Sequence, residues 1–179
     1  MMKRNRRYLH IAFTVALLIV IASVCRDLNV DSILRSTTGI FLGLTRSTIY
    51  IGLFSAWGFS VRQRIVSKNV RRLLTAEAGL LVLWMLIRTV KYYFVADPNA
   101  NRMLWYLYYI PMLFVPVLAV LISASIGKPE QARAPRWALP LALFTAILVG
   151  MVLTNDLHQF VFTFPEGTAV FTDEAYGYG

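Results

Sequence analysis

The 179-residue chain is 58% hydrophobic and only 15% charged, with a mean hydropathy of +0.59. Soluble domains carry about a quarter charged residues, so an ordinary water-soluble globule is excluded as the first reading. The net charge of +9 does not indicate nucleic acid, because the basic residues sit between apolar blocks, as in membrane proteins; the single cysteine, Cys25, excludes an intrachain disulfide.

The apolar blocks are about 17–23 residues long, enough helix to cross ~30 Å of hydrocarbon at ~1.5 Å per residue. The first expected span covers residues 8–25 and follows the basic start "MMKRNRR". That start also resembles a signal peptide, and "IASVC" a lipoprotein box. Val24 is too large for such a box, Arg26 follows the cysteine, and more apolar blocks come after. A retained transmembrane helix is therefore expected. The second span is placed at 46–62, with Arg46 snorkelling to the interface. Asp31 to Leu44 is left as an interfacial helix or a loop.

The third span is expected at 73–90, the fourth at 104–126 and the fifth at 137–156. Pro111 and Pro116 fall inside the fourth. Neighbouring helices can satisfy the carbonyls that a proline frees, so a kink is expected rather than a stop. After Phe164 the chain reads "PEGTAVFTDEAYGYG", without a basic stop signal or another apolar block. The expectation is a chain cut from a longer one. The intervening loops are too short to fold alone.

Orientation follows from alternate loops. Counting from the N-terminus, one side holds 12 Lys and Arg and the other holds 6. The richer side includes the N-terminus, which is therefore expected in the cytoplasm. The stretch "TNDLHQ" then lies at the outer end of the fifth span, where its polar side chains meet water.

Glu77, Leu81, Trp84, Arg88 and Lys91 share one helix face. Eleven residues of helix put Glu77 and Arg88 ~16 Å apart, which excludes a direct pair. Arg88 and Lys91 read either as interfacial anchors, with Glu77 reaching the loop arginines, or as part of an outer polar pocket around Arg88. Trp105, Tyr106, Tyr108 and Tyr109 read as an aromatic belt or as a stacking wall for a ligand, with Trp105 and Tyr109 one turn apart. In "TNDLHQ", Asn155 shares a face with His158 and Gln159, while Asp156 points about 100° away. One His and one Asp on different faces do not make a metal site, which needs three or more ligands. No nucleophile–base spacing appears, and no span holds a central lysine for a Schiff base. A hydrogen-bonded polar cap with His158 as its protonatable member fits better.

Three stretches read together resemble a known family: "IYIGLFSAWGFSVRQRIVSKNVRRLL" (49–74), "LWYLYYIPMLFVPVLAVLISASIGKPE" (104–130) and "VLTNDLHQFVFTF" (152–164). They are similar to the N-terminal seven-helix membrane region of bacterial sensor histidine kinases. The shared pattern is an Arg-rich loop after the second span, an aromatic-Pro start to the fourth, and Thr154, Asn155 and His158 at the end of the fifth. The resemblance implies a sensor whose signalling module lies beyond further spans. Residues 1–179 hold no nucleotide-binding segment and no phospho-accepting module, so no kinase chemistry is expected here.

The expected fold is an all-α polytopic bundle of about five spans, forming one sensor-type domain over residues 1–179. A signal of small-molecule or lipid type is expected near Arg88, Trp105, Tyr109, Asn155, Asp156 and His158, with Pro111 and Pro116 as the switch. No cofactor, metal or nucleic acid is implied; the bilayer and a second copy of the chain are the partners foreseen. Two rival readings are a self-contained structural or transport subunit and an intramembrane enzyme using Glu77 and His158. The second suffers because those residues lie toward opposite leaflets.

Overall fold

The computed structural model describes residues 2–31, 37–65, 67–129, 135–164 and 177–178. The closing segment 165–176 lies outside the described residues. The helices are α1 (Met2–Asp31), α2 (Thr37–Arg64), α3 (Lys68–Tyr93), α4 (Pro98–Leu107), α5 (Tyr109–Ser125), α6 (Ala138–Leu153) and the single turn α7 (Asn155–His158). A two-residue antiparallel ladder, β1 (Phe162–Thr163) with β2 (Gly177–Tyr178), pairs Phe162 with Tyr178. The fold is all-α apart from that ladder.

Among the described residues, three helical stretches are long and apolar enough to cross a bilayer: Thr38–Arg64, Lys68–Tyr93 and Pro98–Ser125. His10–Cys25 and Ala138–Leu153 are apolar but shorter. The 16 residues of α6 give ~24 Å of helix, less than the ~30 Å of hydrocarbon. Phe13, Phe41, Leu139 and Phe144 are all more than half exposed on the helix surfaces. So many large apolar side chains facing outward suit lipid and not water.

Chain neighbours are neighbours in space: α1 packs on α2, α2 on α3, α3 on α5 and α5 on α6, while α4 leans on α3, α5 and α6. Two small residues bring α2 and α3 close. A Cβ built on Gly58 would lie 2.8 Å from that of Ala78, and one on Gly43 would run into the Tyr93 ring. These contacts fix an antiparallel register. Small residues permit this approach, which matters where lipid supplies no hydrophobic drive between helices.

The second helix begins at Thr37, well before Arg46. The Thr45 and Thr48 hydroxyls donate to the carbonyls of Phe41 and Leu44 at 2.8 and 2.9 Å. Both hydroxyls are thus satisfied within the helix.

Proline accounts for the break between α4 and α5. Pro111 has no N–H to give the Leu107 carbonyl, and its ring crowds that turn. Helix α4 ends at Leu107, Tyr108 donates to the Trp105 carbonyl at 3.1 Å, and α5 restarts at Tyr109. The Tyr108 backbone stays in the right-handed helical region, so the chain is offset and not turned back. Pro116 lies within α5.

Candidate functional site

The turn α7 at the end of α6 and the second half of α4 meet in a polar node. Helix α4 starts firmly: Asp97 caps it by accepting from the Ala100 N–H at 2.7 Å, and Pro98 occupies the first turn. This start places Arg102 and Tyr106 one turn apart on the same side of the helix. Opposite them, α6 ends at Leu153 and Thr154 donates to the Gly150 carbonyl at 2.8 Å. Helix α7 follows and is closed by Gln159, whose φ of 51° lies in the left-handed region. That reversal swings residues 160–163 back over the node.

Asn155 is fully buried and holds the node together. Its Nδ2 donates to the Phe162 carbonyl at 2.9 Å and to the Tyr106 hydroxyl at 3.3 Å. Its Oδ1 accepts from the N–H groups of Val161 and Phe162, both at 3.0 Å. Every hydrogen-bonding position of the amide is filled. The Tyr106 hydroxyl, having accepted from Asn155, donates to Asp156 Oδ1 at 2.6 Å. The other oxygen of Asp156 meets Arg102 Nη2 at 3.1 Å. The result is a continuous chain, Arg102–Asp156–Tyr106–Asn155, running from a partly exposed rim to a fully buried amide.

Aromatic rings seal the apolar side. Trp105, Tyr106, Val152 and Phe162 form the buried cluster, with Tyr109 packed against it. The Trp105 and Phe162 centroids are 4.5 Å apart, and Tyr109 meets Trp105 edge-on at 5.8 Å and Phe162 at 5.4 Å.

His158 has a defined tautomer. Its Nδ1 accepts from the Phe160 N–H at 3.0 Å, and its Nε2 lies 3.2 Å from Thr154 Oγ1. The Thr154 proton already serves the Gly150 carbonyl, so Nε2 carries the ring proton and donates to Thr154. The ring also stacks on Phe160 at 4.9 Å.

Of the residues singled out from the sequence, Trp105, Tyr109, Asn155, Asp156 and His158 are gathered at this end of the bundle. Arg88 stands apart on α3, with its guanidinium 5.8 Å from the Tyr92 ring centre. Lys91, expected to be an interfacial anchor, is only 2% exposed; its ammonium lies over Tyr92 at 4.8 Å and Tyr108 at 5.6 Å. Arg102 and Phe162 were not singled out, and Tyr106 only as one ring of the aromatic cluster. The capped start "DPNANRMLWY" held the clue, since it sets Arg102 and Tyr106 on one face. Among the described residues no group of three or more His, Cys, Asp or Glu side chains is arranged to hold a metal.

No curated protein and no solved structure matches the chain. A family model described as the N-terminal 7TM region of histidine kinase matches residues 40–179, which include every residue of the node. With most of its length matched, this membrane protein belongs to the family of N-terminal 7TM regions of histidine kinases.

Proposed function

We propose that the chain is the signal-input region of a two-component sensor histidine kinase in the bacterial inner membrane. The family match over residues 40–179 carries this reading. In it the N-terminus is cytoplasmic, as the loop charges favour. The Arg102–Asp156–Tyr106–Asn155 chain then lies at the outer surface. Phosphotransfer belongs to a cytoplasmic module elsewhere in the complete protein, and this region contributes no catalytic group.

The signal, a small molecule or a lipid, acts at the rim of the node. Asp156 and Arg102 are the accessible members, with about a quarter of each side chain exposed. A ligand that takes either one weakens the hold on Tyr106 and so the seating of α4 on the end of α6. Trp105, Tyr109 and Asn155 position the node, and His158 fixes the turn beside it. Arg88 is a further cation at the same end of α3. The offset at Pro111 and the proline at 116 let α4 and α5 exchange two arrangements.

The test is made on the full-length protein in membrane vesicles. Asp156→Asn should shift the signal dependence of ATP-driven autophosphorylation by at least tenfold, while Arg136→Gln leaves it unchanged. An unaltered dose response for Asp156→Asn overturns the site, and no autophosphorylation from the wild-type protein overturns the kinase reading.

A further inference from the structure

At the far end of the bundle from the node, α2 and α3 enclose a groove whose two halves differ in chemistry. The half nearer mid-bundle is about 320 Å³ and is lined by Phe54, Gly58, Phe59, Ala78, Gly79 and Val82, with Arg62 and Thr75 at its lower edge. The half at the helix ends is about 600 Å³ and is lined by Arg62, Arg71, Arg72, Thr75 and Ala76. Arg62 and Thr75 belong to both, so the halves are continuous. From Phe54 to Arg62 the helix rises ~12 Å.

The sequence explains the shape. Gly58 lets α2 approach Ala78 closely, as described above. A Cβ on Gly79 would meet nothing within 4 Å, so the floor beside that contact is open. Phe54, Phe59 and Val82 wall it. The antiparallel register then brings Arg62, near the end of α2, to the level of the first turns of α3. Three guanidiniums therefore line one cavity. Among the described residues, none of Arg62, Arg71 and Arg72 makes an ion pair.

We propose that this groove holds one anionic phospholipid. Its phosphodiester sits among Arg62, Arg71 and Arg72, and one acyl chain runs up the channel floored by Gly58, Ala78 and Gly79. Charge complementarity selects the occupant. Three clustered arginines, without an ion pair among the described residues, favour an anion, and guanidiniums suit phosphate geometry. The continuous apolar half requires that the anion carry a hydrocarbon chain. A free phosphate leaves that half empty, and a neighbouring apolar helix leaves the arginines unpaired.

The experiment is native mass spectrometry of the full-length protein in detergent, titrated with phosphatidylglycerol or with phosphatidylcholine of identical chains. Wild-type protein should retain phosphatidylglycerol at least tenfold more tightly than phosphatidylcholine. The triple variant R62Q/R71Q/R72Q should lose that preference, and Arg136→Gln, a control on another exposed cation, should keep it. Gly79→Phe fills the open floor without disturbing the arginines and should weaken both lipids. If the triple variant fails to fold, R62K/R71K/R72K serves in its place and should retain charge selectivity with reduced affinity. Equal binding of the two lipids by wild-type protein overturns the proposal, as does equal loss in Arg136→Gln. Displacement of the phospholipid by inorganic phosphate at equal concentration, or dimer formation through a cysteine at position 79 in a Cys25→Ser background, also overturns it.

Discussion

The hydroxyl of Tyr106 donates to the carboxylate of Asp156 at 2.6 Å, although fifty residues of chain separate them. That bond ties the last turn of α4 to α7, the turn that follows α6. Its partner on the other side, Asn155, is buried and saturated, so the tyrosine cannot rotate away without leaving an amide hydrogen unpaired. Tyr106→Phe keeps the ring and its packing on Trp105 and Phe162 but deletes both bonds. The expected loss is about 1.5–3 kcal/mol, the range for a hydrogen bond to a charged group. Thermal unfolding in detergent, followed by tryptophan fluorescence, measures it.

Asn155→Ala should cost more. It strands the N–H groups of Val161 and Phe162, which both rely on Oδ1. Unpaired buried donors cost about 1–3 kcal/mol each, so the loss in the same unfolding measurement should exceed that of Tyr106→Phe. Asn155→Asp keeps the acceptor for both N–H groups but removes the donor to Tyr106 and Phe162, and adds charge in a buried place. It should not rescue the alanine variant fully.

The Arg102–Asp156 pair should contribute little to stability by itself. Both side chains are partly exposed, and such pairs are worth about 0–1 kcal/mol. A double-mutant cycle with Arg102→Gln and Asp156→Asn should give a coupling in that range, reduced at high salt because the Debye length shrinks to ~3 Å at 1 M. A small coupling suits an element that a signal has to open.

The bundle was legible in the sequence where composition alone decides the outcome. The runs around 73–90 and 104–126 are long and mostly apolar, and helical stretches cover them. The start of α2 is less legible: Asp31 to Leu44 reads as an interfacial helix or a loop, yet the helix already runs from Thr37. The node was half legible. Asn155, Asp156 and His158 stand out as polar residues at the end of an apolar run, and Trp105 and Tyr109 as an aromatic pair. Local spacing could not pair Tyr106 with Asp156, because that contact comes from how α4 and α6 pack. Nor could it show that Lys91 is buried beneath aromatic rings, since helix periodicity gives a face but not what covers it.

Gln159 adopts a left-handed φ of 51°, a conformation costing a residue with a Cβ about 1–2 kcal/mol. Gln159→Gly removes that strain and makes no change to the bonds of Asn155. Stability in the same unfolding assay should rise slightly or stay level, in contrast to every other substitution in this turn. A clear loss would mean that the Gln159 side chain itself holds the turn.

Gly43→Leu should separate α2 from α3, because the space beside Gly43 is filled by the Tyr93 ring. Overpacking of this kind costs about 1–3 kcal/mol. The double variant Gly43→Leu with Tyr93→Ala should recover part of the loss, and a lowered Tm for the single variant with partial recovery in the double is the expected pattern.

Placement of the polar node outside the cell is tested most directly by cysteine labelling in a Cys25→Ser background. Leu157 is 86% exposed beside the node, and Lys128 is exposed at the opposite end of the bundle. A membrane-impermeant maleimide applied to intact cells should modify Leu157→Cys, and should reach Lys128→Cys only after the cells are opened. Labelling of Lys128→Cys in intact cells with Leu157→Cys protected would put the node in the cytoplasm and contradict an outward-facing sensor.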